Sequence, residues 1–488
     1  MRTERRGYRF GPLERRGLLG PLRAGQALLI SGGLAGAVEV LGRISGGGGV
    51  VGSLVLLIGT VMLATFPVGG RTLEQWAPIS LAFGRRSLGR GGRRFSSRLP
   101  TAGTLAADQH PRELPRELKG VELVQIEANG RSVGALSERH GRLLTAVIAC
   151  QALSFALLDP EVQERRLAQW GMVLTAAANG PIRRLQWVER TAPAQGDELA
   201  RWLHSARDPS LPARGVPVVE SYLELIGQST QVTRDHEILL AIQLDTARLT
   251  APAQHTYELV MEQIARIARG LETAEIRVLG ALGSAQLARV LRTAYDPFAR
   301  TDMTALELGG GGETSGGASA GPLGAHEHWD YYRCDGALHA TFWISNWPRI
   351  DVSPMFMDAL LADSGTVRTV AVTFEPIAPE RSAREVEAAI TRDRADSELR
   401  RRFGQSETAR HRQAQEAAAR REAELAAGHG EVRFSGFVTV SGRDESELRR
   451  ACAEIHLHAA RGRLELRRLY GQQAESFSFT LPLARGLR

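Results

Sequence analysis

Three consecutive residues, His326, Glu327 and His328, are the side chains of this sequence best suited to bind a metal ion. A zinc site on a helix needs the two histidines of an HExxH pattern on one face, and these residues do not have that spacing. Neighbouring residues of a strand point to opposite faces of a sheet, so the three side chains would diverge on a strand as well. The pattern favours a surface loop or the start of a strand, and we expect neither a metal nor another cofactor.

Nucleotide hydrolysis of the Walker type is excluded by the single lysine of the sequence. A P-loop requires the pattern GxxxxGK[ST], whose lysine contacts the phosphates. Lys119 follows the residues PREL and cannot complete such a loop. The sequence also offers no Ser-His-Asp order, paired carboxylate site or GxGxxG at a strand-to-helix junction. We therefore expect a protein that is not an enzyme; a membrane-bound enzyme with an unrecognised fold is the alternative from a different class.

The cysteines and tryptophans favour structural roles. Cys150, Cys334 and Cys452 lie far apart without CxxC or Cys/His spacing, which predicts reduced thiols in a cytoplasmic body. Three tryptophans within residues 329–347 could stack on nucleic-acid bases. Packing in the core or at an interface is the simpler interpretation of that cluster.

Two apolar stretches near the amino terminus predict a membrane hairpin. Residues 24–42 carry one charge, Glu39, which lies close enough to the end of the stretch to reach the interface. Residues 50–70 carry no charge, and at about 1.5 Å per residue they are long enough to cross a hydrocarbon layer of about 30 Å. A buried globular hairpin or a cleaved signal is the alternative. A signal, however, would not be followed by a second apolar stretch and another arginine cluster.

The positions of the arginines predict the orientation of this hairpin. Residues 1–100 hold fifteen Arg and four Glu, a net charge of +11, so the rest of the chain sums to −4 within the total of +7. Seven arginines precede the first span, seven follow the second, and only Arg43 lies between them. The positive-inside rule then makes both flanks cytoplasmic, which predicts a multi-pass protein of the plasma membrane with most of its chain in the cytoplasm. The arginines chosen as orienting residues are Arg15, Arg16, Arg23, Arg71, Arg85 and Arg86.

The arginine-rich segment 85–98 has two candidate partners, anionic lipid head groups and nucleic acid. Lipid is favoured, because the membrane orientation already requires these arginines and no ladder of aromatic residues accompanies them. The net acidic remainder of the chain would also make DNA binding weak and strongly dependent on salt. We expect a bilayer with anionic head groups as the partner, and direct nucleic-acid binding is disfavoured.

The rest of the chain predicts an α+β body, because apolar segments alternate with amphipathic ones in a pattern that resembles split βαβ units. The strands are predicted at 121–126, 143–158, 182–188, 237–244, 366–374, 432–440 and 464–469, with a further pair joined at Asp335-Gly336. The helices are predicted at 161–178, 218–226, 257–273, 285–295, 445–460 and from Gln472 onward. The expected organisation is a basic tail (1–23), the hairpin (24–70), a basic linker (71–120), a first α+β domain (121–308), a Gly-rich loop (309–324) and a second α+β domain (325–488) with a charged helical arm (379–427).

Three features of this sequence coincide: the arginine-flanked hairpin, the stretch EHWDYYRCDGALHATFWISNWP, and the tail VRFSGFVTV...RRLYGQQAESFSFTLPL. Over nearly the whole chain they resemble the actinobacterial integral membrane proteins encoded beside conjugation-type or type IV secretion-like ATPases. The tail is also similar to the amino-terminal domain of VirB-type secretion ATPases. Tyr470, Gln473, Phe477 and Pro482 match that pattern. The resemblance implies that these four contact a partner, and an ordinary closing helix is the alternative.

The resemblance implies a scaffold that docks a separate cytosolic P-loop ATPase to the membrane. Because the motor of the VirB-type ATPases has no counterpart in this pattern, no catalytic residue is carried over. A homo-oligomer is compatible with this role. The alternative within the same broad class is the E subunit of a type VII secretion complex, which also pairs an amino-terminal hairpin with a cytosolic domain.

Overall fold

A computed structural model of the chain describes residues 24–44, 46–67, 69–88, 93–97, 114–151, 155–178, 180–193, 217–218, 221, 234–249, 255–299, 320–361, 365–385, 387–388, 391, 423 and 430–487. The chain divides into two compact units. The described residues of the hairpin unit lie within 24–93 and Tyr470–Gln472. Those of the body lie within Arg94–Leu469 and 473–487.

The hairpin unit contains two helices that are long and apolar enough to span a membrane, α1 (Ala24–Arg43) and α2 (Gly47–Thr65). Helix α1 matches the predicted first span closely. Helix α2 begins and ends earlier than the predicted range of 50–70. It ends there because Pro67 disfavours helical backbone at Phe66, which is extended at φ −73° and ψ 119°.

The two helices approach each other closely. The side chain of Gln26 donates to the carbonyl oxygen of Ala64 at 2.9 Å, so the start of α1 lies beside the end of α2. A Cβ atom at Gly33 would lie 2.5 Å from the Thr60 side chain, and close approach of this kind requires a glycine. A third helix, α3 (Leu73–Leu88), follows a turn in this unit.

The body is built on one antiparallel sheet, which has thirteen strands in the described part of the chain. The path across the sheet is β1-β8-β9-β10-β12-β11-β5-β6-β4-β3-β2, with β13 beside β10 and β7 beside β4. The strands are β1 (Arg94–Ser96), β2 (Val121–Ala128), β3 (Arg131–Glu138), β4 (Leu143–Gln151), β5 (Ile182–Pro193), β6 (Arg234–Asp245), β7 (Arg277–Ala281), β8 (Gly324–Glu327), β9 (Tyr332–Cys334), β10 (Ala337–Asn346), β11 (Val367–Ile377), β12 (Glu431–Gly442) and β13 (Glu465–Arg468). The helices of the body are α4 (Pro160–Ala178), α5 (Thr256–Thr273), α6 (Ser284–Tyr295), α7 (Asp358–Leu361), α8 (Glu445–Arg461) and α9 (Gln473–Phe477).

This sheet consists of two halves with the same element order. Each half opens with a hairpin, β2-β3 or β8-β9, continues as strand, helix, strand, strand, helix, strand, and closes with one more helix, α6 or α9. The strand pairings also match: β4 lies between β6 and β7 as β10 lies between β12 and β13. The halves join where β5 pairs with β11, and Val188 is opposite Ala371 at the middle of that pairing.

Helices cover one face of each half, and their sequences show why. Helix α5 buries Val260, Ile264, Ile267 and Leu271, which recur at helical spacing. Helix α8 buries a similar stripe and is capped by Asp444, whose carboxylate accepts from the backbone of Ser446 and Glu447. The opposite face of the sheet carries a core to which both halves and the last residues of the chain contribute.

The α+β class is confirmed, and helices 161–178, 257–273, 285–295 and 445–460 lie within one residue of their predicted bounds. The strand pair at Asp335-Gly336 is confirmed as β9 and β10. Strands β3 and β7 were not predicted, although Asn129-Gly130 between β2 and β3 is a hairpin signal. The final predicted helix ends at Phe477, after which the chain is not helical.

The two ranges predicted as α+β domains contribute to one compact unit. Ranges 121–308 and 325–488 contain the two halves of one sheet, which the pairing of β5 with β11 joins. The domain boundaries themselves stay a prediction. Most of the helix predicted at 218–226, residues 309–319 of the Gly-rich loop and most of the arm at 379–427 lie outside the described residues. Residues 218 and 221 are described and helical. Of the arm, residues 379–385, 387–388, 391 and 423 are described and helical.

Candidate functional site

The most elaborate polar arrangement of the body surrounds its last residues, 473–487, which we call the tail segment. This segment runs across the face of the sheet opposite to α4, α5 and α8. Phe477, Leu481 and Leu483 are buried there in the core shared by both halves, against Val188 of β5 and Ala371 of β11. The tail segment therefore covers the junction between the halves.

Gln186, a fully buried residue of β5, fixes the tail segment at two points. Its side-chain amide donates to the carbonyl oxygen of Phe479 at 2.7 Å, and its oxygen accepts from the backbone N–H of Ala484 at 2.8 Å. On the neighbouring strand, the hydroxyl of Thr373 donates to the carbonyl oxygen of Arg485 at 2.8 Å. Inward-facing polar side chains thus satisfy backbone groups that burial removes from water.

A second set of contacts anchors the start of the tail segment in the other half. The side chain of Gln473 accepts from the backbone N–H of Thr341 at 2.9 Å. The hydroxyls of Thr341, Thr439 and Thr480 form a chain with separations of 2.9 Å. Both halves of the sheet consequently hold the same segment.

A buried carboxyl group lies beside the tail segment. Glu117 accepts a hydrogen bond from the Tyr332 hydroxyl, and burial raises the pKa of Glu117 to about 7. The guanidinium of Arg485 donates to the backbone carbonyl of Glu117 and pairs with Glu138 at 3.1 Å. Tyr332 of the second half therefore contacts the carboxyl group of Glu117, and Arg485 of the tail segment contacts the backbone of the same residue.

The buried histidine of this region has a structural role. His339 is fully buried and lies 2.8 Å from both the Ser441 hydroxyl and the Tyr295 carbonyl oxygen. Burial lowers its pKa to about 4, so the ring is neutral near pH 7. A neutral imidazole in the core, with a hydrogen-bond partner at each ring nitrogen, is suited to packing and does not need to exchange protons.

Arg190 of β5 lines a small cavity under the tail segment. Its guanidinium pairs with Glu237 at 2.7 Å and donates to the Val290 carbonyl and the Thr293 hydroxyl. The cavity is bounded also by Thr369, Thr439, Phe477 and Leu481 and has room for about one water molecule. That size is too small for a metabolite.

Of the three residues first considered for metal binding, the two histidines lie together and Glu327 has different neighbours. The rings of His326, His328 and Tyr331 are in contact, with centroids 4.2 Å apart along the series. Glu327 is buried, and its carboxylate accepts from the backbone N–H of Ala474 at 3.3 Å. Among the residues that the structure describes, His, Cys, Asp and Glu do not gather into a group of three suited to a metal ion. All three cysteines carry free thiols.

The four residues predicted to contact a partner do not form one exposed surface. Gln473, Phe477 and Pro482 are buried in the body, so they offer no surface to another protein while the tail segment is in place. Tyr470 belongs to the hairpin unit, where its ring lies 6.2 Å from that of Trp76. Contact with a partner stays a prediction for these residues, and burial disfavours it for three of them.

The six orienting arginines divide into two groups. Arg15, Arg16 and Arg23 lie outside the described residues. Arg71 lies over the Trp76 ring at 5.4 Å, Arg85 is exposed and Arg86 is half-buried.

Sequence reasoning missed the residues that hold the tail segment, chiefly Gln186, Thr373 and Glu117. Gln186 offered little signal, because its face of β5 also carries Arg184 and Arg190 beside Val188 and is not apolar in sequence. Such a residue needs a hydrogen-bond partner when it is buried. The sequence around it does not name the partner, which is the tail segment about three hundred positions later.

The class of protein that these observations define is an α+β body joined in one chain to two apolar helices of membrane-spanning length. No known protein family matches the chain, and no curated protein is similar to it at a significant level.

Proposed function

We propose that this chain is a non-catalytic membrane scaffold of a conjugation or type IV secretion-like translocation apparatus, and that it docks a separate cytosolic P-loop ATPase. The observation that carries the scaffold role is the joining of two span-length helices to one sheet whose central junction is closed by its own tail segment. The secretion role is supported by the sequence resemblance in the hairpin, the aromatic stretch and the tail.

The architecture suits mechanical coupling. A force applied to either half would pass through the β5·β11 pairing, which includes seven residue pairs from Arg368↔Thr191 to Phe374↔Leu185. The tail segment bonds to both halves and so resists their separation. We further propose that each half is a split βαβ unit and that the two arose as a tandem pair, in keeping with their shared element order.

In this proposal the hairpin crosses the plasma membrane twice and the body lies in the cytoplasm. The arginine distribution supports that orientation, since both flanks of the hairpin are basic. The cytoplasm is also where a P-loop partner has access to ATP. The ATPase would dock on exposed parts of the body, since the tail residues first considered for that contact are buried.

The test is recovery of partners with the full chain from native membranes. The tagged chain is cross-linked in intact cells, extracted in a mild detergent and purified beside an equally tagged, unrelated two-span protein of the same membrane. We expect a P-loop ATPase to be enriched over the control. Its absence would refute the docking role. Small WxG-type proteins together with a four-component membrane core would instead assign the chain to type VII secretion as its E subunit.

A protease experiment tests the orientation separately. Protease added to intact cells should leave the body uncut, whereas the same protease should digest it after the cells are opened. Cleavage of the body from outside would contradict the cytoplasmic placement, whatever partners are recovered.

A further inference from the structure

Helix α3 (Leu73–Leu88) carries an apolar stripe that the rest of the described hairpin unit leaves uncovered. Leu73, Ala77, Leu81 and Leu88 follow one another at offsets of four, eight and fifteen residues, which places them within about 80° on one face of a helix. Leu81 is 73% exposed and Leu88 is 90% exposed. Helix α3 has no buried residue among those described.

A polar face of α3 adjoins one side of this stripe, so the helix is amphipathic. Gln75, Ala82 and Arg86 lie on that face, about 100–140° around the helix from Leu81. Arg85 is exposed at the boundary between the two faces. A helix with leucines on one side and arginines on the other has the composition of one that lies in a membrane interface.

The contacts of α3 place its first turn at a defined end of the hairpin. The side chain of Glu74 touches Gly25 at the start of α1. Gln26, the next residue, bonds to Ala64 near the end of α2. The first turn of α3 therefore lies at the end of the hairpin where α1 begins and α2 finishes, which is the arginine-rich end.

The chain between α2 and α3 turns and does not continue the helix. Gly69 and Gly70 have φ values of 58° and 76°, in the left-handed region that favours glycine. Because of this turn, the axis of α3 need not follow the axis of α2, and α3 can lie along the bilayer surface.

Basic side chains complete the match to anionic head groups. Arg71 lies over the Trp76 ring and Arg93 over the Phe83 ring, at 5.4 Å and 4.6 Å from the ring centres. Tryptophan is enriched in the head-group layer, where long cationic side chains also extend their charge to water or phosphate.

We infer that α3 is an interfacial helix, with Leu73, Leu81 and Leu88 inserted at the boundary between head groups and acyl chains of an anionic bilayer and its arginines at the phosphates. This inference rests on the proposed membrane hairpin. It adds a second, in-plane attachment beside the spans, which would limit how freely the following segment of the chain moves away from the membrane.

The test uses the purified full chain in vesicles of phosphatidylcholine and phosphatidylglycerol. In a Cys452→Ser background, Leu81→Cys, Ala82→Cys and Val55→Cys are each labelled with an environment-sensitive fluorophore, and nitroxide-labelled lipids serve as quenchers. Leu81 and Ala82 are neighbours and both are exposed, so without a membrane the labels at the two positions should be equally accessible to a quencher. Val55, 65% exposed in the middle of α2, reports on the hairpin.

We expect a nitroxide near the lipid carbonyls to quench the label at Leu81 at least about twofold more than the label at Ala82. Equal quenching at the two positions would overturn the inference. A label at Leu81 that lipid does not quench and that a water-soluble quencher does not reach would also overturn it, because protein would then cover the stripe. If the ratio of quenching at Leu81 to quenching at Ala82 were the same in vesicles of phosphatidylcholine alone, the requirement for anionic head groups would be refuted.

The Val55 label separates the two levels of the proposal. If a deep nitroxide quenches Val55 while Leu81 and Ala82 stay alike, the hairpin inserts and only the interfacial helix is refuted. If Val55 is not quenched, the membrane anchor itself fails and the proposed scaffold role fails with it.

Discussion

Replacing Gln186 by leucine should loosen the tail segment without creating a cavity. Leucine is close to glutamine in volume, so the change removes two hydrogen bonds and leaves the Phe479 carbonyl and the Ala484 N–H buried without these partners. A buried backbone group that loses its partner costs about 1–3 kcal/mol. For the two groups together we expect a loss of about 2–6 kcal/mol in the free energy of unfolding or of local release of the tail segment.

Two measurements distinguish these outcomes. Urea unfolding of the full chain in mild detergent, followed by tryptophan fluorescence, reports on the whole body, and Trp187 lies next to the substituted residue. Hydrogen exchange reports on local release. A loss of about 2 kcal/mol should speed exchange of the amides of residues 478–487 by about thirtyfold.

The matched control is Gln125→Leu. Gln125 also makes two side-chain hydrogen bonds, to Glu127 at 2.8 Å and from Ser284 at 3.0 Å, but it is exposed. Water can replace those bonds, so we expect a change within about 0.5 kcal/mol. If the two substitutions had equal effects on stability and on tail exchange, burial of the Gln186 contacts would not matter and the reasoning would be wrong.

Three further predictions concern other parts of the body. Glu117→Gln should flatten the dependence of stability on pH between about 4.5 and 7. Because the pKa of this carboxyl group is raised in the folded state, the folded protein holds a proton there that the unfolded chain has released. In the unsubstituted protein this group therefore lowers stability by up to about 1.4 kcal/mol per pH unit as pH rises through that window. Gly134→Ala should destabilise the body by about 2 kcal/mol, since a Cβ there would lie 2.6 Å from backbone at the start of α6. Arg190→Met should cost about 3 kcal/mol, because the change removes the ion pair between Arg190 and the partly buried carboxylate of Glu237.

Each of these has a control and a contradicting result. Glu122→Gln, at an exposed glutamate of β2, should keep the pH slope, and an unchanged slope in Glu117→Gln would argue against a protonated buried carboxyl. Gly171→Ala, in α4 with open space around it, should instead stabilise the helix by about 0.5–1 kcal/mol. If both glycine substitutions stabilised the protein, or both destabilised it, the close approach at Gly134 would be contradicted. Adding Glu237→Gln to Arg190→Met should recover stability if the lost Arg190–Glu237 ion pair is the cause, and no recovery would count against that explanation.

Much of the local structure could be predicted because its causes lie near in sequence. The periodic apolar residues of α5 and the Asp335-Gly336 connection specify the structure of the chain only a few residues to either side. Both elements were predicted correctly. Strand β3 was missed because its sequence, RSVGALSE, alternates poorly, although Asn129-Gly130 before it marks a turn. The candidate site was not predicted, since its members are distant in the chain.

By itself the sequence determined the two apolar helices, the unequal placement of arginine around them and the absence of a Walker lysine, since partition of a segment between water and lipid depends on that segment's own composition. Only the tertiary structure decided that β5 pairs with β11, that Gln186 holds the tail segment, and that Tyr332 reaches Glu117 across 215 positions of sequence. A strand's pattern shows which face is buried but carries no record of its neighbour, because every antiparallel edge presents the same backbone donors and acceptors. The choice of neighbour is made by packing in the assembled core.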